Sequence, residues 1–287
     1  MLGIRFVFFL ATAFGRAPAG LFLRVVALWY ALIDRQAKKA SKTFLSRALG
    51  RAATFADVYR HIFCFARVTL DRAFLLKGRD DLFEVHKEGN HHLQELTRKK
   101  RGALLLGGHL GSFEAMRVGA SRERFPINIV GHFQNARMIN ALLEQLNPEI
   151  AARVLHVGDD PAGTAITMRE RLEAGEMLAV LGDRVGLNDK HTAVTFLGKT
   201  ALFPTGPFLL ASALKCPVYL VFGLYHEPNR YNLYCEPFVD RVVLPRANRQ
   251  QALQDITQRY AERLEHFAKI APYNWFNFYD FWQADSP

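Results

Sequence analysis

Apolar residues recur at helical spacing from Phe55 onward, with Val58, Tyr59, Ile62, Phe63, Ala66 and Leu70 on one face. Thr54 and Asp57 stand in front of this run in a capping-box arrangement, with Asp in place of the usual Glu. The helix so begun ends at Gly78. Short apolar runs then alternate with longer amphipathic ones. The runs Leu82–Val85, Ala103–Leu106, Ile127–Val130, Val154–Val157, Met177–Leu181, Ala193–Phe196, Val218–Leu224 and Asn232–Pro237 read as strands. Helical periodicity marks His91–Lys100, Phe113–Ser121, Arg137–Leu146, Ala162–Ala174, Pro207–Leu214 and Arg249–Ile270. Strands apolar almost throughout, alternating with helices, predict an α/β fold: a mixed, largely parallel central sheet covered by helices on both faces. No Ser, Gly or Pro run acts as a linker, and no internal repeat is visible.

Two apolar runs precede this pattern, Phe6–Phe14 and Ala19–Ile33, with Gly15-Arg16-Ala17-Pro18 between them. Neither reaches the ~20 residues that a spanning helix needs. The second run lacks a polar face, so it must be buried somewhere. Two helices packed on the domain satisfy that need, and so does a helical hairpin dipping into one membrane leaflet. A cleaved signal peptide is a third fit, because Arg5 precedes the first run and Ala11, Ala13 and Ala17 are small. Arg35, Lys38, Lys39, Lys42, Arg47 and Arg51 follow, a cluster suited to anionic head groups. Residues 1–50 are therefore expected to form an apolar, basic, membrane-associating helical segment, ahead of one domain over 51–287.

Composition narrows the partners. Half of the 287 residues are apolar, enough for one large core. The net charge of +10 favours an acidic partner: nucleic acid, an anionic membrane or an acidic carrier protein. Nucleic acid is disfavoured because basic and aromatic residues do not interleave. Cys64, Cys216 and Cys235 form no CxxC, and two of them lie in apolar runs, so no disulfide framework or zinc site is expected. His86, His91 and His92 cluster without a completing Cys or carboxylate set, so no metal site is expected there either. Gly198-Lys199-Thr200 echoes the end of a P-loop but lacks its earlier glycine.

The chemistry concentrates in Gly107-Gly108-His109-Leu110-Gly111-Ser112-Phe113-Glu114. A buried strand runs into a glycine turn with a histidine at its mouth and a carboxylate in the first helical turn. Histidine is the usual proton acceptor at neutral pH, and a carboxylate behind it fixes the tautomer. His109 is thus the expected base and Glu114 its orienter, serving a hydroxyl nucleophile. The backbone amides around Gly111–Phe113, those of Gly111 and Ser112 first, lie at a helix N-terminus and are candidates for the oxyanion. No Gly-x-Ser-x-Gly elbow surrounds Ser112, which disfavours a serine hydrolase.

These residues resemble the His-x4-(Asp/Glu) motif of the lysophospholipid acyltransferase superfamily. Over roughly residues 50–282 the surroundings are similar to its lipid A (lauroyl/myristoyl) acyltransferase branch, through Asn135, Gly182-Asp183, Phe196-Leu197-Gly198 and Pro204-Thr205-Gly206-Pro207. The aromatic tail Asn274 to Trp282 looks more like the relatives of aryl-polyene and pigment biosynthesis. The resemblance implies transfer of a fatty or aryl-polyene acyl chain from an acyl carrier protein or coenzyme A thioester to a hydroxyl or amine of a lipid-like acceptor. It implies no cofactor beyond that co-substrate, and a place at the cytoplasmic face of the bacterial inner membrane, peripheral or monotopic. It also makes Asn135 a substrate-binding candidate. Lipid A enzymes commonly carry Asp-x-Asp where this chain has Asp183-Arg184-Val185.

Asp183 and Arg184 end a strand and are both substrate-binding candidates, Arg184 being placed to hold an anionic group or assist the oxyanion; a loop-bracing ion pair is the other reading. Thr205 suits an N-cap, and amides near Gly206 suit a phosphate; plain capping fits as well. The aromatic tail either closes the core or lines a cavity. A non-catalytic lipid- or carrier-binding module in a lipid or pigment assembly complex is the competing function.

Overall fold

The computed structural model describes residues 15–131, 153–157, 161–186 and 190–282. The run Phe6–Phe14, the expected helix Arg137–Leu146 and Asn135 lie outside the described residues. Three helices come first: α1 (Arg16–Ile33), α2 (Arg35–Ala48) and α3 (Phe55–Leu76). Helix α1 starts at Arg16, inside the segment expected to interrupt it. Pro18 is compatible with that start, because no intrahelical hydrogen bond needs its N–H in the first turn. The capping box on α3 forms as expected, with Thr54 Oγ1 accepting from Asp57 N and the Asp57 carboxylate accepting from Thr54 N.

Strands and helices then alternate: β1 (Glu84–Glu88), α4 (Asn90–Arg98), β2 (Ala103–Gly107), α5 (Phe113–Arg122), β3 (Ile127–Gly131), β4 (Val154–His156), α6 (Pro161–Glu173), β5 (Met177–Leu181), β6 (His191–Phe196), β7 (Lys199–Pro204), α7 (Gly206–Leu214), β8 (Val218–His226), β9 (Arg230–Val239) and α8 (Arg249–Ile270). Among the described residues the main sheet has seven strands in the order β1-β9-β8-β2-β5-β3-β4. Its pairs are parallel except β8 with β9, so the expected mixed, largely parallel sheet is what forms. Successive residues of β2 serve opposite faces. Leu104 and Leu106 join Tyr260, Leu264 and Phe267 of α8, whereas Ala103 and Leu105 join Leu93 and Leu96 of α4. Helices therefore cover both faces.

Strand β7 was not expected; its sequence looked like a spoiled phosphate loop. It pairs with β6 in a separate hairpin. Leu197 and Gly198 both have positive φ in the two-residue turn, a combination that suits tight hairpins. The hairpin packs on α8, with Gln258 bonding the Thr195 backbone and Glu265 accepting from Leu197 N.

Helix α1 divides its residues by size. Ala19, Leu23, Ala27 and Ala31 are buried in one core with Val58, Ile62 and Phe63 of α3. Leu21, Val25, Leu28, Trp29, Leu32 and Ile33 are exposed. Arg16 anchors the helix start through a bidentate pair with buried Asp71, at 2.7 and 2.9 Å, and Tyr231 donates to the same carboxylate. Phe44 and Leu45 of α2 enter the main core. Helices α1 and α2 are thus continuous with the cores of the rest.

Candidate active site

Strands β2 and β5 are parallel neighbours, and their register sets Gly107 against Leu181. The residues two positions beyond each, His109 and Asp183, therefore emerge side by side at the strand ends, where parallel sheets present reactive groups. His109 Nδ1 lies 2.8 Å from Asp183 Oδ1, and His109 N donates to Asp183 Oδ2 at 2.9 Å. The indole Nε1 of Trp275 donates to the same Oδ2 at 2.9 Å. Asp183 is fully buried. Burial opposes its ionisation, but the hydrogen bonds from His109 and Trp275 and the charge of Arg184 outweigh that, holding the carboxyl below its ordinary range. An ionised carboxylate only accepts, so Nδ1 carries a proton, and the neutral form of the ring has its lone pair on Nε2. The ring is 33% exposed, and Nε2 has no acceptor or donor among the described residues.

The turn that holds this pair needs its glycines. Gly111 has φ +76°, and a Cβ there would sit 2.0 Å from the Gly223 carbonyl oxygen. Close approach lets Gly111 N donate to Asn274 O and Ser112 N to Gly223 O. The Gly111 and Ser112 amides, expected to face an oxyanion, are therefore spent on the turn itself. Ser112 caps α5, its Oγ accepting from Ala115 N at 3.1 Å. The amides of Phe113 and Glu114, in the first turn, carry no acceptor among the described residues.

Glu114 is not the partner of His109. Its carboxylate takes Arg72 Nε at 3.0 Å and Arg117 Nε at 2.8 Å. A side chain in the first turn of α5 projects from the helix toward α3, which supplies Arg72, while the histidine is held on the strand ends. Asp183, expected as a substrate contact or a loop-bracing partner of Arg184, occupies the place assigned to Glu114.

Arg184 spends one N–H on the Phe276 carbonyl at 2.6 Å and lies over the Tyr279 ring. Thr205 precedes α7 but does not cap it; its Oγ1 donates to Lys190 O at 3.0 Å. A Cβ on Gly206 would meet open space, and Pro207 borders Gly182 beside Asp183. The mouth of α7 thus adjoins the histidine loop. The aromatic tail closes the core: Trp275 packs against Phe44, Phe196 and Phe281, and Trp282 against Phe196.

Trp275 was missed as a site residue, although a buried indole N–H demands an acceptor. His61 stands behind it, wholly buried, with Nδ1 2.8 Å from Ser41 Oγ and Nε2 2.9 Å from the Trp275 carbonyl. Burial pushes the His61 pKa down to about 4, so it is neutral there.

An imidazole clamped by a buried carboxylate, open at its second nitrogen and set at the strand ends of an α/β sheet, has the geometry to accept a proton from a hydroxyl or amine. Over residues 21–284 the chain matches the bacterial lipid A biosynthesis acyltransferase family, and it belongs to that family. The family moves acyl groups from thioester donors to lipid-like acceptors and is membrane-associated. No curated protein matches the chain.

Proposed function

We propose that this chain transfers a fatty or aryl-polyene acyl chain from an acyl carrier protein or coenzyme A thioester to a hydroxyl or amine of a lipid-like acceptor. The observation that carries the mechanism is the Asp183 clamp on His109 Nδ1, which leaves Nε2 as the base. The acceptor's proton passes to Nε2 as its oxygen or nitrogen attacks the thioester carbon. The C–S bond then breaks, and the imidazolium returns the proton to the departing thiolate. The uncommitted amides of Phe113 and Glu114, at the positive end of α5, stabilise the tetrahedral oxyanion. Arg184 retains N–H groups for an anionic part of either substrate. No serine or cysteine nucleophile is required, since the acceptor attacks directly.

The reaction belongs at the cytoplasmic face of the inner membrane, with the protein monotopic. Helix α1 is the one described helix long and apolar enough to cross a bilayer. Its small-residue stripe is already used on α3, however, and Arg16 is held in a buried pair. A helix bound along its length to the domain lies in the interface with its exposed apolar face toward the acyl chains. Arg35, Lys39 and Lys42 are exposed just beyond it and suit anionic head groups.

His109→Ala should lower turnover by about 10²-fold or more, with a normal melting transition. The measurement is free-thiol release from acyl carrier protein or coenzyme A thioesters with membrane lipid as acceptor. A folded His109→Ala protein with undiminished acyl transfer refutes the proposal, and donor binding with no thiol release by the unmutated protein points to the non-catalytic module.

A further inference from the structure

The tail residues Asn274, Trp275 and Phe276 lie along the histidine turn as a short antiparallel ladder, with Trp275 opposite Leu110. Gly111 N donates to Asn274 O at 2.8 Å, and Phe276 N donates to His109 O at 3.0 Å. The ladder therefore holds the backbone of His109, while the Trp275 indole holds Asp183. One strand-like stretch fixes both members of the pair.

A ladder this short is marginal by itself, so its outer edge decides how firmly it sits. Its bonds come from the residues on either side of Trp275, so the Trp275 carbonyl points outward. Two donors fill that carbonyl: Asn277 N at 2.8 Å, from the tail itself, and His61 Nε2 at 2.9 Å, from α3. A carbonyl only accepts, so Nε2 carries the proton and Nδ1 accepts from Ser41 Oγ of α2 at 2.8 Å. Packing alone does not call for an imidazole here. The ring lies among Phe44, Phe276 and Phe278, where a phenyl group would serve without desolvating two nitrogens.

We propose that His61 is a positioning residue for the transfer reaction. Its Nε2–H holds the peptide between Trp275 and Phe276, the N–H of that peptide holds the His109 carbonyl, and Ser41 keeps the His61 proton on Nε2. The role rests on the acyl-transfer reading only for the reaction it serves.

Two measurements test it. Thiol release, at a temperature where every variant is folded, reads the reaction. Spectra of the full chain carrying ¹⁵N-histidine read the His109 tautomer without turnover, at about pH 8.5, well above the ordinary histidine range. The His109 signals are assigned by their loss in His109→Ala. His61→Phe keeps a ring and deletes the donor. Its kcat should fall about fivefold with KM unchanged, and the single Nδ1–H form of His109 should become a mixture of tautomers. His61→Gln puts an amide N–H near the place of Nε2 and should bring kcat back to within about twofold, with one tautomer. A residue of structural importance alone would lower the melting temperature of His61→Phe and leave both readouts unchanged. That outcome overturns the proposal, as does a His61→Gln protein no better than His61→Phe. If His61→Phe does not fold, Ser41→Ala takes its place, with a loss of about threefold in kcat and the same mixing of tautomers. Unchanged readouts there overturn the proposal too. If the unmutated protein releases no thiol, the transfer reading fails, and the spectra alone decide whether His61 positions His109.

Discussion

Two carboxylates stand near the same turn and meet opposite fates. Asp183 is buried, with three N–H donors from His109 and Trp275 upon it. Glu114, five residues from His109 in the chain, faces the guanidinium groups of Arg72 and Arg117 instead. The difference is one of strand pairing. Parallel neighbours in register bring equal offsets beyond β2 and β5 together, however far apart they lie in sequence. Nearness along the chain only places Glu114 on a helix whose first turn points elsewhere.

The largest effect should separate the two acids. Asp183→Asn keeps the shape of the side chain but favours the wrong imidazole tautomer, and kcat should fall by about 10³-fold or more. Glu114→Gln keeps a neutral contact to Arg117 and should cost no more than about tenfold in kcat, since the histidine does not depend on it. Steady-state thiol release measures both. If Glu114→Gln falls as far as Asp183→Asn, Glu114 serves His109 during turnover and the contrast dissolves.

That contrast also marks what the sequence can convey. Helix and strand periods, the Thr54 cap and the alternation of elements were all legible, because each is a local pattern. The strand ends at Leu106 and Leu181 were legible too, and His109 and Asp183 each follow such an end. Their adjacency was not, because strand order is set by packing and not by chain order. The same limit hid the use of the Gly111 and Ser112 amides, whose acceptors come from the tail and from β8. Strand β7 was lost because its Gly198-Lys199-Thr200 start resembles a different turn, and only pairing with β6 identifies it.

Acid should sharpen the comparison, because the clamp has a second histidine behind it. His61 titrates at about 4 in the folded protein and near ~6.5 when unfolded. Between those values the unfolded chain binds the extra proton, so stability is complete above about pH 6.5 and declines as pH falls toward 4. The loss attributable to His61 is on the order of 3 kcal/mol across that window. Asp183 adds to it at lower pH, since its depressed pKa gives stability present at neutral pH and lost as acid protonates it. Denaturant unfolding of the unmutated protein and His61→Gln, compared between pH 7 and 4.5, isolates the histidine. The variant should show the shallower decline. Parallel curves would mean that His61 is not neutral by virtue of burial.

The smallest effect concerns what Trp275 adds to the clamp. The ring packs against Phe44, Phe196 and Phe281, so Trp275→Phe retains much of the apolar contact while deleting the N–H on Asp183 Oδ2. Asp183 would still hold His109 through Oδ1, but one of the donors that keep it ionised and fixed would be gone. A fall in kcat of about tenfold, equivalent to about 1.4 kcal/mol, is expected with KM unchanged, because the indole touches the clamp and not the substrates. A structural role alone predicts a lowered melting temperature with kcat intact at temperatures where the protein is folded. Adding Trp275→Phe to Glu114→Gln should multiply the two losses, as for separate regions, whereas adding it to Asp183→Asn should cost little more, because the N–H acts only through that carboxylate.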